Sequence, residues 1–496
     1  MRSVRDDRMV RPTQEDEVAA AGSELIGGPA GRRALPGGWR TPVRVVVLVM
    51  IGMFALGMVQ KVPCYDHGWF FGATTQYTHA CYSDIPHLFT GRGFDQGLIP
   101  YLDEIPRSMG DMDYLEYPVL TGAFMEVAAL LTPGGGAQHR AQLYWFVNSG
   151  MLLVCAVVIA FCVARTHRRR PWDGLLVALA PAFALTATIN WDLLAVALTS
   201  VALLAWSRGR TGTAGVFIGL AAAAKLYPVL LLWPLLLLCW RAGRWREFRA
   251  ALSSAVVAWL VVNVPLMLVV DGPMAPIRAG WAKFYTFSHD RPVDYGSLWL
   301  LVSQRTGDPM DDVNTYAIVL MVLGSLAIGA LCLYAPRRPR LAQLVFLEIA
   351  LFVVANKVYS PQYVLWLIPL AVLARPRWRD FLVWQTCEVL YFLGIWFHLA
   401  YNGDGDKHQG LPQDGYQLAL VLHLLGTLYL CALVVRDVLR PDRDVIRRDG
   451  SDDPSGGPLD RAPDIRVLGR TRPRERHDER PETLRVQWGS GSGGTV

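Results

Sequence analysis

Two kinds of side chain stand where this sequence could do chemistry. Carboxylates come first: Asp84 in the stretch C-Y-S-D-I-P at residues 81–86, Asp66 in C-Y-D-H at residues 64–67, and Glu116 in L-E-Y-P-V-L at residues 115–120. A positioned carboxylate can take the proton from an attacking hydroxyl. The second kind is cationic. Lys225 lies in A-A-A-A-K-L-Y-P, Lys357 in A-N-K-V-Y-S-P-Q, and His289 and Arg291 in F-S-H-D-R. Lysine meets phosphate as a point charge, whereas arginine can bind it with two parallel hydrogen bonds. A base combined with cations that stabilise a departing phosphate is the equipment for group transfer from a phosphate-bearing donor.

The elements that must position these groups are apolar helices. Apolar residues make up 52% of the 496 and charged residues 18%, against about 25% charged in a soluble chain. They fall into blocks near the roughly 20 residues needed to cross hydrocarbon. These blocks predict spans at 42–60, 143–164, 174–189, 193–206, 212–224, 227–240, 250–270, 313–335, 341–355, 363–374, 381–400 and 417–435. The connections 165–170, 207–210, 241–249, 336–340 and 375–379 hold sixteen Arg, which marks them as cytoplasmic. Both chain ends then lie in the cytoplasm. The net charge of +6 follows from that bias and is no sign of nucleic-acid binding. Residues 1–41 and 436–496 mix Arg with Asp, Gly and Pro and read as disordered arms flanking a membrane domain at 42–435.

On the opposite side the expected loops are large: residues 61–142, with nine acidic and four basic residues, and residues 271–312. The apolar block at 117–131 reads as a juxtamembrane or re-entrant helix within the first loop, because a span there would put the 165–170 cluster on the wrong side. Five of the 48 basic residues are Lys (Lys61, Lys225, Lys283, Lys357, Lys407), and all fall at or beyond this outer face. A lysine at a helix end in apolar surroundings is costly unless paired. Snorkelling is the plain alternative for Lys225 and Lys357. For Asp84 the plain alternative is a helix N-cap, and for His289 a solvated loop position. Cys64 and Cys81 are the two cysteines outside the apolar blocks. A bridge between them would close a loop of about 18 residues and contribute on the order of 3 kcal/mol.

No ATP or nucleotide sugar is at hand on that face, so the donor must be a lipid phosphate. A short first span, a long loop with an early Asp, a Tyr-Pro helix at Tyr117, a Lys-x-x-Pro helix end at Lys225 and a late Ser-Pro-Gln-Tyr loop at Gln362 follow one another. Over residues 42–435 this order resembles the GT-C superfold of lipid-linked-sugar glycosyltransferases, and more closely glycosyltransferase family 87, an actinobacterial group of polyprenyl-phosphate-mannose-dependent mannosyltransferases. The resemblance implies an all-α polytopic membrane protein of about twelve transmembrane helices in the cell membrane. It implies inverting transfer of a sugar, mannose before arabinose, from a polyprenyl-phosphate donor to a lipid-linked or cell-envelope acceptor. Asp84 is the matching base, with Asp66 as the competing carboxylate and Glu116 as an orienting one. Lys225, Lys357, Arg291 and His289 are then expected at the donor phosphate, and Tyr82, Tyr117, Asp192, Tyr227 and Gln362 around the substrate cavity. No cofactor is implied and no metal-ligand spacing is present. Restoration of EDTA-treated protein by manganese or magnesium would overturn a metal-free reading. A transporter or flippase is the rival class, but the halves show no internal repeat. A scaffold would leave the outer carboxylates and Lys225 unexplained.

Overall fold

A computed structural model describes residues 9–27, 41–70, 73–268, 279–403, 408–448 and 450–465. Lys407, most of the arms and residues 271–278 of the second loop lie outside them. Among the described residues every regular element is a helix or helical turn.

Six helices are long and apolar enough to cross a membrane: Pro42–Gln60, Ala137–Thr166, Trp245–Leu268, Val313–Tyr334, Trp378–Gly403 and Gln413–Leu439. At 1.5 Å per residue each reaches about 28 Å or more, close to the roughly 30 Å of hydrocarbon. Five further expected crossings coincide with shorter helices: Asp192–Ser207, Thr211–Ala224, Tyr227–Ala242, Leu341–Ala355 and Pro361–Ala374. These rise only about 21–24 Å. The block at 174–189 is broken into Gly174–Ala178 and Pro181–Thr186. Pro181 lacks an N–H and biases Ala180 out of the helical region, to φ −64 and ψ 115. Of the twelve expected crossings, six are therefore long helices, five are shorter helices and one is broken.

The short helices can stop early because protein surrounds them. All eleven residues of Val364–Ala374 are buried, as are most of Leu341–Ala355. Where they end, irregular backbone at residues 187–191 and 356–360 is enclosed by protein, a setting in which such backbone is tolerated in a membrane domain. Thr211–Ala224 meets Trp245–Leu268 at very close range. A Cβ at Gly215 would stand 2.1 Å from the Ala251 carbonyl oxygen and one at Gly219 2.2 Å from that of Ala255. Small residues there let two backbones touch.

The apolar block at 117–131 forms the helix Val119–Leu130, about 18 Å long. Thr121 Oγ1 donates to the Ala224 carbonyl at 2.6 Å, which ties this helix to the end bearing Lys225.

The described parts of the arms make contacts that their composition does not announce. Glu15 reaches Arg170 at 2.8 Å, and Asp16 accepts from the Trp378 amide at 3.0 Å. Residues 441–465 fold across the arginine-rich end of the bundle. Asp444 bridges fully buried Arg340 at 2.7 Å, Asp464 meets Arg241 at 2.8 Å and Arg338 at 3.0 Å, and Trp206 Nε1 donates to the Gly456 carbonyl at 2.8 Å. Composition alone suggests a solvated chain, but Asp444, Asp452 and Asp464 each find an arginine on another element. Asp444→Ala would strand the Arg340 guanidinium in the interior, so a loss of about 3–5 kcal/mol is expected. Thermal unfolding of the solubilised protein checks it, with a smaller drop expected for Asp444→Asn.

Candidate active site

At the end of the bundle away from residues 441–465 lies a cavity of about 460 Å³, walled by Asp84, Glu116, Tyr117, Lys225, Arg291 and Gln362 among others. Remote parts of the chain converge on it, so each wall has its own anchor.

The segment carrying Asp84 is pinned from behind. Cys64 and Cys81 are disulfide-bonded. Gln60 Nε2 donates to the Ala80 carbonyl at 2.7 Å, Lys61 Nζ to that of Tyr82 at 3.0 Å, and Trp69 Nε1 to that of Cys81 at 3.1 Å. Ser83 is the residue that caps the helix Asp84–Gly91, its Oγ accepting from the Ile85 amide at 3.3 Å and donating to the Thr188 carbonyl at 2.7 Å. Asp84 is thus relieved of the capping role. Its amide donates to the Ile189 carbonyl at 2.8 Å, and its Oδ1 accepts from the Tyr82 hydroxyl at 2.7 Å.

Asp84 is half-buried, open to the cavity and otherwise ringed by protein. Burial pushes its carboxyl up to about 6. The hydrogen bond from Tyr82 and the charge of Lys225 oppose the rise, while Asp192 and Glu116 add to it.

Lys225 caps the C-terminus of Thr211–Ala224 in extended backbone, and its Nζ lies 2.8 Å from Asp192 Oδ1. Asp192 Oδ2 accepts from Trp366 Nε1 at 3.0 Å. The ammonium also sits over the rings of Tyr117, Tyr363 and Trp366, 5.3, 5.8 and 5.9 Å from their centroids. Arg291, on the facing wall, follows the helix Ala279–Asp290 and is held by Asp294, with Nε 3.1 Å from Oδ2.

Other expected residues divide sharply. Glu116 lines the cavity but is clamped by Arg92 through two hydrogen bonds of 2.7 and 2.6 Å, so it is not a free base. Tyr82, Tyr117 and Gln362 line it, and Asp192 acts one step back through Lys225. Four residues lie elsewhere. Asp66 is exposed within the loop closed by the disulfide, outside the cavity wall. Lys357 Nζ is consumed by the His289 carbonyl and Asn314 Oδ1, both at 2.7 Å, which makes it a brace between loops. The His289 side chain is 75% exposed and pairs with Asp290 at 3.0 Å. Tyr227 is buried against Trp366, with ring centroids 4.6 Å apart and its hydroxyl 3.3 Å from Thr199 Oγ1.

No motif marks Tyr77, Asp294 or Trp396, which the fold brings in. Tyr77, Tyr82 and Trp396 stack with centroids 4.8–6.0 Å apart, an aromatic surface beside Asp84. The spacing Arg291-x-x-Asp294 is the one feature that could have flagged Asp294. Among the described residues no group of three or more His, Cys, Asp or Glu is placed to hold a metal ion.

A carboxylate with a raised pKa and two anchored cations on one cavity suit transfer of a group from a phosphate. Residues 114–356 match the model of glycosyltransferase family 87. The chain resembles that family. The match includes Glu116, Tyr117, Asp192, Lys225 and Arg291; Asp84 lies before it and Gln362 after it. GPI mannosyltransferase 1 of Saccharomyces cerevisiae is 22% identical over 264 residues, 48% of this chain and 62% of that protein. The alignment therefore spans less than two thirds of that relative's length. A crystal structure of ArnT from Cupriavidus metallidurans bound to undecaprenyl phosphate superposes with a TM-score of 0.37 at 15% identity, covering 72% of each chain.

Proposed function

We propose that this protein is an inverting membrane glycosyltransferase of the GT-C type, moving a sugar from a polyprenyl-phosphate donor to a hydroxyl of a lipid-linked or cell-envelope acceptor. The observation that carries this reading is the sharing of one cavity by Asp84 and Lys225. Asp84 accepts the acceptor's proton. With Oδ1 engaged by Tyr82, Oδ2 is the oxygen for that task. The acceptor oxygen bonds to the anomeric carbon from the face opposite the departing phosphate, and the bond from that carbon to the phosphate oxygen breaks. Lys225 and Arg291 take up the negative charge on the leaving phosphate. Asp192 and Asp294 hold these cations in place. The Tyr77, Tyr82 and Trp396 rings offer a flat surface for the sugar, and Glu116 with Arg92 stiffens the wall.

Mannose is the proposed sugar, supported by likeness to family 87 and to a relative named as a mannosyltransferase. The membrane domain is residues 42–435. The proposed site of action is the outer face of the cell membrane with both termini in the cytoplasm, supported by the gathering of the arginine-rich connections at the end opposite the cavity.

Purified protein incubated with labelled polyprenyl-phosphate mannose, or the arabinose counterpart, and a membrane lipid extract is expected to yield a new mannolipid. A labelled arabinolipid alone would reassign the sugar, and no glycolipid with either donor would remove the enzyme reading. The rate should depend on Asp84 ionisation. Its carboxyl titrates at about 6, so the base form dominates above that pH and is lost below it. A kcat/KM profile is expected to level off above pH ~6 and fall about tenfold per pH unit below it. In Tyr82→Phe the hydrogen bond that opposes the rise is gone. The midpoint is then expected to move upward; an unmoved midpoint would mean another group sets the profile.

A further inference from the structure

A second cavity, of about 640 Å³, lies at the other end of the molecule, where residues 165–170 and 207–210 face the folded segment 441–465. It is separated from the site above by the length of the helix Asp192–Ser207. Asp192 supports Lys225 at one end, Ser207 lines the second cavity at the other, and sixteen residues rise about 24 Å.

Its charge is lopsided once existing pairs are set aside. Arg170 is neutralised by Asp173 and Glu15, each at 2.8 Å. On the opposite wall Asp452 pairs with Arg337 at 2.8 Å and Arg338 at 3.1 Å, while Asp460, whose Oδ1 accepts from the Asp453 amide at 3.0 Å, keeps one negative charge. Arg168, Arg208 and Arg461 remain on the wall, and no carboxylate bridges them among the described residues. Arg208 donates to the Arg165 carbonyl, a neutral partner. Burial and the like charges of Arg168 and Arg165 hold its guanidinium below its ordinary pKa, as expected of cations crowded without a counter-ion.

His167 supplies an independent observation. It is 2% exposed, lines this cavity, and neither ring nitrogen has a hydrogen-bond partner. A buried polar group left unpaired costs about 1–3 kcal/mol, and native structures rarely keep one without a reason. Burial and the charges of Arg340 and Arg170 keep the imidazole neutral, so it still offers one N–H to an acceptor. Cations without a counter-ion around an unused neutral donor suit a ligand that brings negative charge and oxygen acceptors together.

We propose that this cavity is a binding site for a phosphate group, with Arg168, Arg208 and Arg461 supplying charge and His167 a hydrogen bond. The site is separate from the proposed transfer cavity and does not depend on that reading. An anionic phospholipid headgroup and a free phosphate present the same oxygens, and the two arms of the test distinguish them.

The test uses the full chain in nanodiscs of phosphatidylcholine alone, titrated with inorganic phosphate, and in nanodiscs of phosphatidylcholine mixed with phosphatidylglycerol. A rise in the thermal unfolding midpoint is expected in at least one arm. A response to inorganic phosphate identifies a free anion, and a response to phosphatidylglycerol alone identifies a headgroup. The rise should vanish in the R168Q/R208Q double variant and persist in R168K/R208K. If the double variant yields no monodisperse protein, His167→Phe serves instead, with an expected loss of about tenfold or more in affinity for the ligand of the responding arm. No rise in either arm, or an equal rise in the variants lacking these groups, would overturn the proposal.

Discussion

Asp84→Asn is expected to lower kcat for sugar transfer by about 10²–10⁴-fold while leaving the folded protein intact. The amide is nearly isosteric, and its carbonyl oxygen can still accept from the Tyr82 hydroxyl, which stands 2.7 Å from Oδ1 in the native protein. Ser83 rather than Asp84 caps the helix, so no cap is lost. What disappears is the basic oxygen. Removing the partly buried charge should hold or slightly raise the unfolding temperature, because burial disfavours the ionised form. Asp66→Asn, outside the cavity wall, is expected to retain near-native turnover. Single-turnover assays with a polyprenyl-phosphate sugar check both, and full turnover by Asp84→Asn would eliminate the base assignment.

Lys225→Gln has the second large expected effect, a fall in kcat of about 10²–10³-fold, with a smaller change in KM. The ammonium acts most strongly when negative charge gathers on the departing phosphate, so its loss falls on the transition state more than on ground-state binding. This variant also strands Asp192, whose side chain is 1% exposed, so a lower unfolding temperature is expected alongside the kinetic defect. Lys225→Arg should restore stability and part of kcat, which separates charge from the geometry of a compact ammonium. Lys357→Gln is the contrast. Its Nζ is spent on the His289 carbonyl and Asn314, so stability should drop while kcat stays close to native. A Lys225→Gln protein that keeps native kcat would remove this lysine from the phosphate site.

Several parts of the site were legible because local chemistry announced them. The Tyr82-Ser83-Asp84 step marks a polar helix start after the first span, and Lys225 in a run of alanines marks a charge that cannot stay unpaired in apolar surroundings. Lys357 carries the same local mark and turned out to be a brace. The difference lies in neighbours far along the chain: Asp192 and the Tyr117 ring for one, His289 and Asn314 for the other. Residues 441–465 show the reverse. Their Asp and Gly content looks like solvated chain, yet Asp444, Asp453 and Asp464 each answer a group on another element.

The sequence by itself determined that this is a helical membrane protein and where its apolar helices run, because hydrocarbon admits few ways to satisfy a backbone and apolar length is written directly in composition. It also held the candidate base and the candidate phosphate-binding lysine. Only the tertiary structure decided which helices have full length, and that Tyr77, Tyr82 and Trp396 stack beside Asp84. It alone separated Lys225 from Lys357 and folded the acidic segment at 441–465 onto buried arginines. The physical reason is range. Apolar periodicity is a property of neighbours in the chain, whereas a cavity and a buried ion pair are made by groups tens to hundreds of residues apart that share no local pattern.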